Sequence, residues 1–179
     1  MRISQCKLTM GFRTEYVLQN GNFPAMALFN EIFGGGATSR LFMNVREKQS
    51  LCYYCSARLQ RPKGVMLVQS GIESENEDKA RQAILDQLED IKNGSFSDED
   101  VEASVKALED SFKSVSDSPE SLDSWFMAQC VSGAYHRPEY FIDGFKSVTR
   151  DEIIEVAKQV TLDTVFMLEG TAEGGESDE

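Results

Sequence analysis

The sequence predicts an α+β domain: a small, mainly antiparallel sheet with helices packed on one face. Three observations carry this expectation. Residues 7–13 alternate apolar and polar side chains, the pattern of a strand with one buried face. Residues 51–72 read as two strands joined by a turn at Pro62-Lys63-Gly64. Residues 76–160 carry apolar stripes at helical spacing, several of them introduced by a capping signal. With 179 residues, 41% of them hydrophobic, the chain can build one domain around a sizeable core.

Each element has its own local cause. In the first strand Leu8, Met10 and Phe12 face one way and Lys7, Thr9, Gly11 and Arg13 the other; Asn20-Gly21-Asn22 breaks the chain after it. Pro24 opens a helix that is apolar almost all round, hence buried on most sides, and Gly34-Gly35-Gly36 stops it. Ser39 caps a short helix with Leu41, Phe42 and Val45 as its stripe. The hairpin runs from Leu51 to about Arg61 and from Val65 to Ile72. A helix over 76–93 buries Ala80, Ile84, Leu88 and Ile91 and ends at Gly94. Ser97-Asp98-Glu99-Asp100 is a capping box with Asp in place of Glu, followed by the stripe Val101, Val105, Leu108, Phe112, Val115. Ser118-Pro119 opens a helix that carries Leu122, Phe126 and Cys130. A short helix over 138–145 follows. Thr149 to Glu152 is a full capping box ahead of Ile153, Val156 and Val160, and Val165 to Leu168 is a last short strand. The domain is expected to span residues 1–169, with 170–179 an acidic, disordered tail.

Composition removes several functional classes. The net charge of -12 disfavours nucleic acid and anionic membrane surfaces, which attract clustered positive charge. No apolar run approaches the roughly 20 residues that span a bilayer. The N-terminal residues lack the apolar core of a secretory signal, so a cytoplasmic location is expected. His136 is the one histidine, which rules out a His-plus-His metal site and the H-x-x-E-H zinc motif within this chain. A Ser-His-Asp triad would have to use His136, which lies in an inter-helix connection and reads as a solvated residue.

Other motifs also read as structural. Cys52 and Cys55 form a C-x-x-C, but they fall within a strand, where positions three apart point to opposite faces. They are expected to be free thiols that neither bridge nor share a metal. The glycine triplet lacks the G-K-[ST] of a phosphate loop and follows a helix rather than a strand, so it reads as a flexible joint. Glu73, Glu75, Glu77 and Asp78 sit where negative charge suits a helix N-terminus and need no acid-base role.

The informative segment is Ser39 to Tyr54. It places Arg46 on the last turn of a helix and Tyr53 early in the next strand, so both can emerge at one edge of the domain. A guanidinium fork and a phenol are donors able to hold a peptide carbonyl or stabilise an oxyanion. A plainer reading stays open: Arg46 serves the helix C-terminus, and Tyr53 shares a strand face with Leu51, Cys55, Ala57 and Leu59.

Ser39-Arg40-Leu41-Phe42, Arg46-Glu47-Lys48 and Leu51-Cys52-Tyr53 resemble the C-terminal domain of the insulinase and pitrilysin zinc peptidases. These inverted zincins include the mitochondrial processing peptidases. The likeness extends more loosely over about 165 residues, from the strand at Lys7 to Thr14 to the Asp117-Ser118-Pro119-Glu120-Ser121 helix start. It departs at Cys52, where Gly or Ala is usual. The resemblance implies that Arg46 and Tyr53 are catalytic and substrate-binding residues that contact the substrate carbonyl across a closed chamber. It implies no metal ligand and no cofactor in this chain, with zinc on a partner: the N-terminal zinc-binding domain of the same chain, a paired homologous subunit, or both. The substrate implied is an unfolded peptide, and the isolated chain is expected to be inactive. The alternative is a non-catalytic scaffold or peptide-binding relative.

Overall fold

The computed structural model describes residues 6–169 apart from 15, 17–21, 61–62 and 134. The expected break at Asn20-Gly21, the hairpin residues Arg61 and Pro62, and the tail 170–179 lie outside the described residues. In chain order the elements are β1 (Cys6–Arg13), α1 (Phe23–Asn30), α2 (Leu41–Lys48, wound as a π-helix), β2 (Cys52–Gln60) and β3 (Val65–Ile72). There follow α3 (Glu77–Lys92), α4 (Asp98–Lys113), α5 (Pro119–Ser132), α6 (Pro138–Ser147), α7 (Arg150–Lys158) and β4 (Thr161–Leu168). The strands form one antiparallel sheet in the order β2-β3-β1-β4. This is the expected α+β architecture.

The sheet is two-faced because its strands alternate. Leu8, Met10 and Phe12 on β1 pair with Ser70, Val68 and Met66 on β3, and all six are buried. Lys7 and Arg13 point outward and are exposed. The helices cover the inner face. α1 supplies Met26, Leu28 and Phe29, all fully buried, as its nearly uniform apolar character requires. α3 buries Ala80, Ile84, Leu88 and Ile91 as expected. At the far end Phe112 packs edge-on against Trp125, Phe141 and Phe145, tying α4, α5 and α6 together.

The capping signals read from the sequence are in place. Ser97 Oγ accepts from Asp100 N at 3.1 Å while Asp100 Oδ2 accepts from Ser97 N at 2.8 Å. Thr149 and Glu152 close the equivalent box at α7. Between α3 and α4 the chain turns at Gly94, in the left-handed region at φ +74°. Arg150 clamps that turn: its guanidinium lies 4.2 Å over the Phe96 ring and donates to Gly94 O at 2.7 Å, to Phe96 O and to Asp98 Oδ1. Arg150→Ala is expected to lower stability by about 2 kcal/mol, read as a fall in the urea midpoint, because charge-assisted bonds to carbonyls are lost.

Three expectations need correction. The glycine triplet is not a loose joint. α1 continues through a widened π-type turn over Glu31–Gly35, and Gly34 is buried against Ala57 of β2. The face of α5 is not Leu122-Phe126-Cys130, since Phe126 and Cys130 are exposed. α5 docks instead through Trp125 and Gln129, whose amide accepts from His136 N and donates to His136 O, both at 2.7 Å. His136, stacked on Tyr140 at 3.9 Å, thus belongs to the α5–α6 joint. Finally, β4 begins at Thr161 rather than Val165, because β1 offers ladder partners to the polar residues as well: Arg13 pairs with Thr161, and its Nε meets Asp163 Oδ1 at 2.5 Å.

Candidate functional site

The site begins with how α2 ends. Ser50 takes a left-handed conformation, φ +52°, so the chain reverses sharply after Lys48. Ser50 N donates to Arg46 O at 3.1 Å and Leu51 N donates to Val45 O at 3.2 Å, a closing motif that satisfies the last carbonyls of the helix. The reversal brings the start of β2 alongside the last turn of α2. Arg46 and Tyr53 consequently line one open cleft of about 420 Å³, with Glu47, Ser50, Cys52, Glu73 and Asn76.

A β-bulge then aims the tyrosine. Cys52 pairs with Ile72, but it is Tyr54 rather than Tyr53 that pairs with Gly71; Tyr53 is the extra residue. It is therefore lifted off the inner face and left 48% exposed, whereas Cys55 and Ala57 are buried. This corrects the expectation that Tyr53 shares a face with Cys55, Ala57 and Leu59. The Tyr54 ring lies over Gly71, where a β-carbon would come within 2.5 Å of it. The sequence held one signal of the bulge: the bulky pair Tyr53-Tyr54 interrupts the small-residue alternation Cys55-Ala57.

The same bulge overturns the reading of the cysteines. One extra residue between them restores a common face, since Cys52 is opposite Ile72 and Cys55 opposite Ser70, both inward residues of β3. The Cys55 thiol donates to the Cys52 sulfur and holds the Cys52 thiol down to about 7 against the opposing effect of burial. The positive charge of Arg46 adds to this. Ser70 has its single proton committed to Tyr54 O at 3.0 Å, so Cys55 is the effective donor. Cys55, buried beside that sulfur, is pushed far up. Both remain free thiols, as expected.

The two donors of the cleft are differently engaged. The Arg46 guanidinium rests 4.5 Å over the Phe42 ring, and its Nε lies 3.6 Å from Glu47 Oε1, too long for a hydrogen bond. Its fork is held but not used up. The Tyr53 hydroxyl donates to Glu73 Oε1 at 2.9 Å, so its one proton is committed. That bond, with the negative charge of Glu73, raises the Tyr53 pKa. Glu73 is the site residue that sequence reasoning assigned only to a helix N-terminus. Replacing it with Gln should move the Tyr53 titration down toward the ordinary phenol range. An ultraviolet difference titration against Tyr53→Phe measures this, and an unmoved curve would separate Glu73 from Tyr53.

Among the described residues no group of three or more His, Cys, Asp or Glu side chains could hold a metal ion. The residues present therefore do not fit the zinc of the peptidases that the sequence resembles. Among the described residues no helix is long and apolar enough to cross a membrane.

The Peptidase M16 inactive domain family matches residues 1–108, and the chain belongs to that family. The chain is 34% identical over 169 residues to "Probable inactive metalloprotease YmfF" of Bacillus subtilis, covering 94% of this chain and 40% of the relative. A crystal structure of a conserved protein from Enterococcus faecalis superimposes with a TM-score of 0.88 at 32% identity, over 98% of this chain and 41% of that one. The fold also matches a peptidase M16 inactive domain from Pseudomonas fluorescens, with a TM-score of 0.78 at 17% identity over 98% of this chain and 43% of that one. The chain thus spans about two-fifths of the length of these three proteins.

Proposed function

We propose that residues 1–169 form the peptide-holding, metal-free half of a zinc endopeptidase assembly, with Arg46 and Tyr53 donating to a backbone carbonyl of an unfolded peptide. The observation that carries this reading is the shared cleft: a helix end and a strand bulge direct a guanidinium and a phenol into one open space. A peptide carbonyl entering there meets free guanidinium donors at once. The phenol joins when its proton swings from Glu73 to the carbonyl. Glu73 is then free to accept a peptide N–H, so the extended backbone of the substrate satisfies both partners. The donors favour an oxygen on which negative charge develops. Zinc is assigned to a different domain of the same polypeptide or to a paired subunit.

A second reading is favoured by one observation, that the Bacillus subtilis relative is named a probable inactive metalloprotease. On this reading the assembly holds peptides without cutting them, which needs the same cleft and no turnover.

Peptide cleavage by the complete assembly, offered a broad pool of unfolded peptides with and without a chelator, separates the two. Chelator-sensitive cleavage supports the first. Saturable peptide binding without cleavage, weakened by Arg46→Ala, supports the second. Neither cleavage nor binding would falsify both.

A further inference from the structure

The cleft holds a chemistry that carbonyl binding does not use. Cys52 lines it and is part-exposed, while Cys55 lies behind on the same face with 4% exposure. The bulge that re-aims Tyr53 is what puts the two cysteines on one face, at successive inward positions of the strand opposite Ile72 and Ser70. We propose that Cys52 and Cys55 form a peroxide-reactive dithiol, in which Cys52 is the attacking sulfur and Cys55 the resolving one.

The arrangement assigns the roles. Cys52 faces the cleft, so a hydroperoxide reaches it first, and the Arg46 charge beside it favours the thiolate. Its sulfur attacks the distal peroxide oxygen; the O–O bond breaks, the S–O bond of a sulfenic acid forms, and with hydrogen peroxide one water leaves. The Cys55 sulfur then displaces that oxygen as a second water, taking its proton with it, and an S–S bond forms. Sulfur loses two electrons overall and the peroxide gains them. A dithiol reductant reverses the bridge by exchange. Burial of Cys55 keeps it from reacting alone and reserves it for the sulfenic acid in front of it. Tyr53 lies between the two cysteines, so bridging also moves the strand segment that carries it. The modification itself does not depend on peptide binding.

The test uses the full-length protein treated with hydrogen peroxide, then alkylated, digested and weighed. The expected result is a 52–55 segment lighter by two hydrogens, restored by dithiothreitol. Cys52→Ser should nearly abolish the loss of free thiol in this segment, because the thiol that remains, Cys55, is only 4% exposed. Cys55→Ser should leave a sulfenic acid at Cys52 that dimedone traps, and Cys130→Ser should change nothing. Sulfinic or sulfonic acid at Cys52 with Cys55 still alkylatable would overturn the proposal. So would equal rates in the wild type and Cys52→Ser.

Discussion

Arg46→Ala is expected to reduce peptide turnover by the complete assembly between about 100- and 1,000-fold, the usual cost of deleting one oxyanion donor, roughly 3–4 kcal/mol of barrier. The fold should be indifferent. The Arg46 side chain is 38% exposed, its carboxylate neighbour is 3.6 Å away, and its guanidinium rests on the Phe42 ring. Exposed pairs of that kind contribute less than about 1 kcal/mol. Arg46→Lys keeps the charge but loses the planar fork, so it should recover only part of the activity. Tyr53→Phe should be milder, because the wild-type phenol must first leave Glu73. In an assembly that binds without cutting, the same order should appear in peptide affinity. Turnover and affinity both unchanged in Arg46→Ala would remove Arg46 from the site.

Gly34→Ala is expected to cost about 3 kcal/mol of stability, the upper part of the usual range for overpacking a closed core. A β-carbon at position 34 would lie 2.6 Å from Ala57 N, 2.7 Å from Ala57 Cβ and 2.8 Å from Leu41 Cδ1. A backbone nitrogen inside a paired strand cannot step aside, so β2 or the π-type turn must shift. Gly36→Ala is the matched control. Its added carbon would meet only the carboxylate of Glu31, at 2.8 Å, and the end of a side chain can rotate away. Urea unfolding of the two variants should therefore differ by about 2 kcal/mol, and equal midpoints would show that the sheet tolerates the contact. Because Gly34 packs on β2 and β2 carries Tyr53, Gly34→Ala should also impair the cleft.

Much of this architecture was legible in the residues. Capping boxes at Ser97 and Thr149 are local, so a single sequence displays them. The stripe of α3 is strongly periodic and unambiguous. The segment from Ser39 to Tyr53 signalled the family and brought Arg46 and Tyr53 forward as a pair, and the structure places both in one cleft. What escaped reading depends on partners far away in the chain. The bulge exists only in the pairing of β2 with β3, and strict alternation along β2 alone puts Tyr53 and Cys52 on the wrong faces. The first half of β4, Thr161-Leu162-Asp163-Thr164, is too polar to announce a strand and is defined by β1. The choice of Trp125 over Phe126 on α5 was set by the aromatic cluster around Phe112.

The extra residue in β2 makes chain length, as much as residue type, a determinant of the cleft. Omitting Tyr54 would let the ladder close without interruption: Tyr53 would move opposite Gly71, and Cys55 would stay opposite Ser70. Such a shortened hairpin should keep its core and could even gain stability, since an interrupted ladder becomes continuous. It would keep every charged and acidic member of the cleft while turning the phenol away from Arg46. Relatives that keep an Arg and a Tyr but differ by one residue between them would thus share the composition of the cleft and not its geometry.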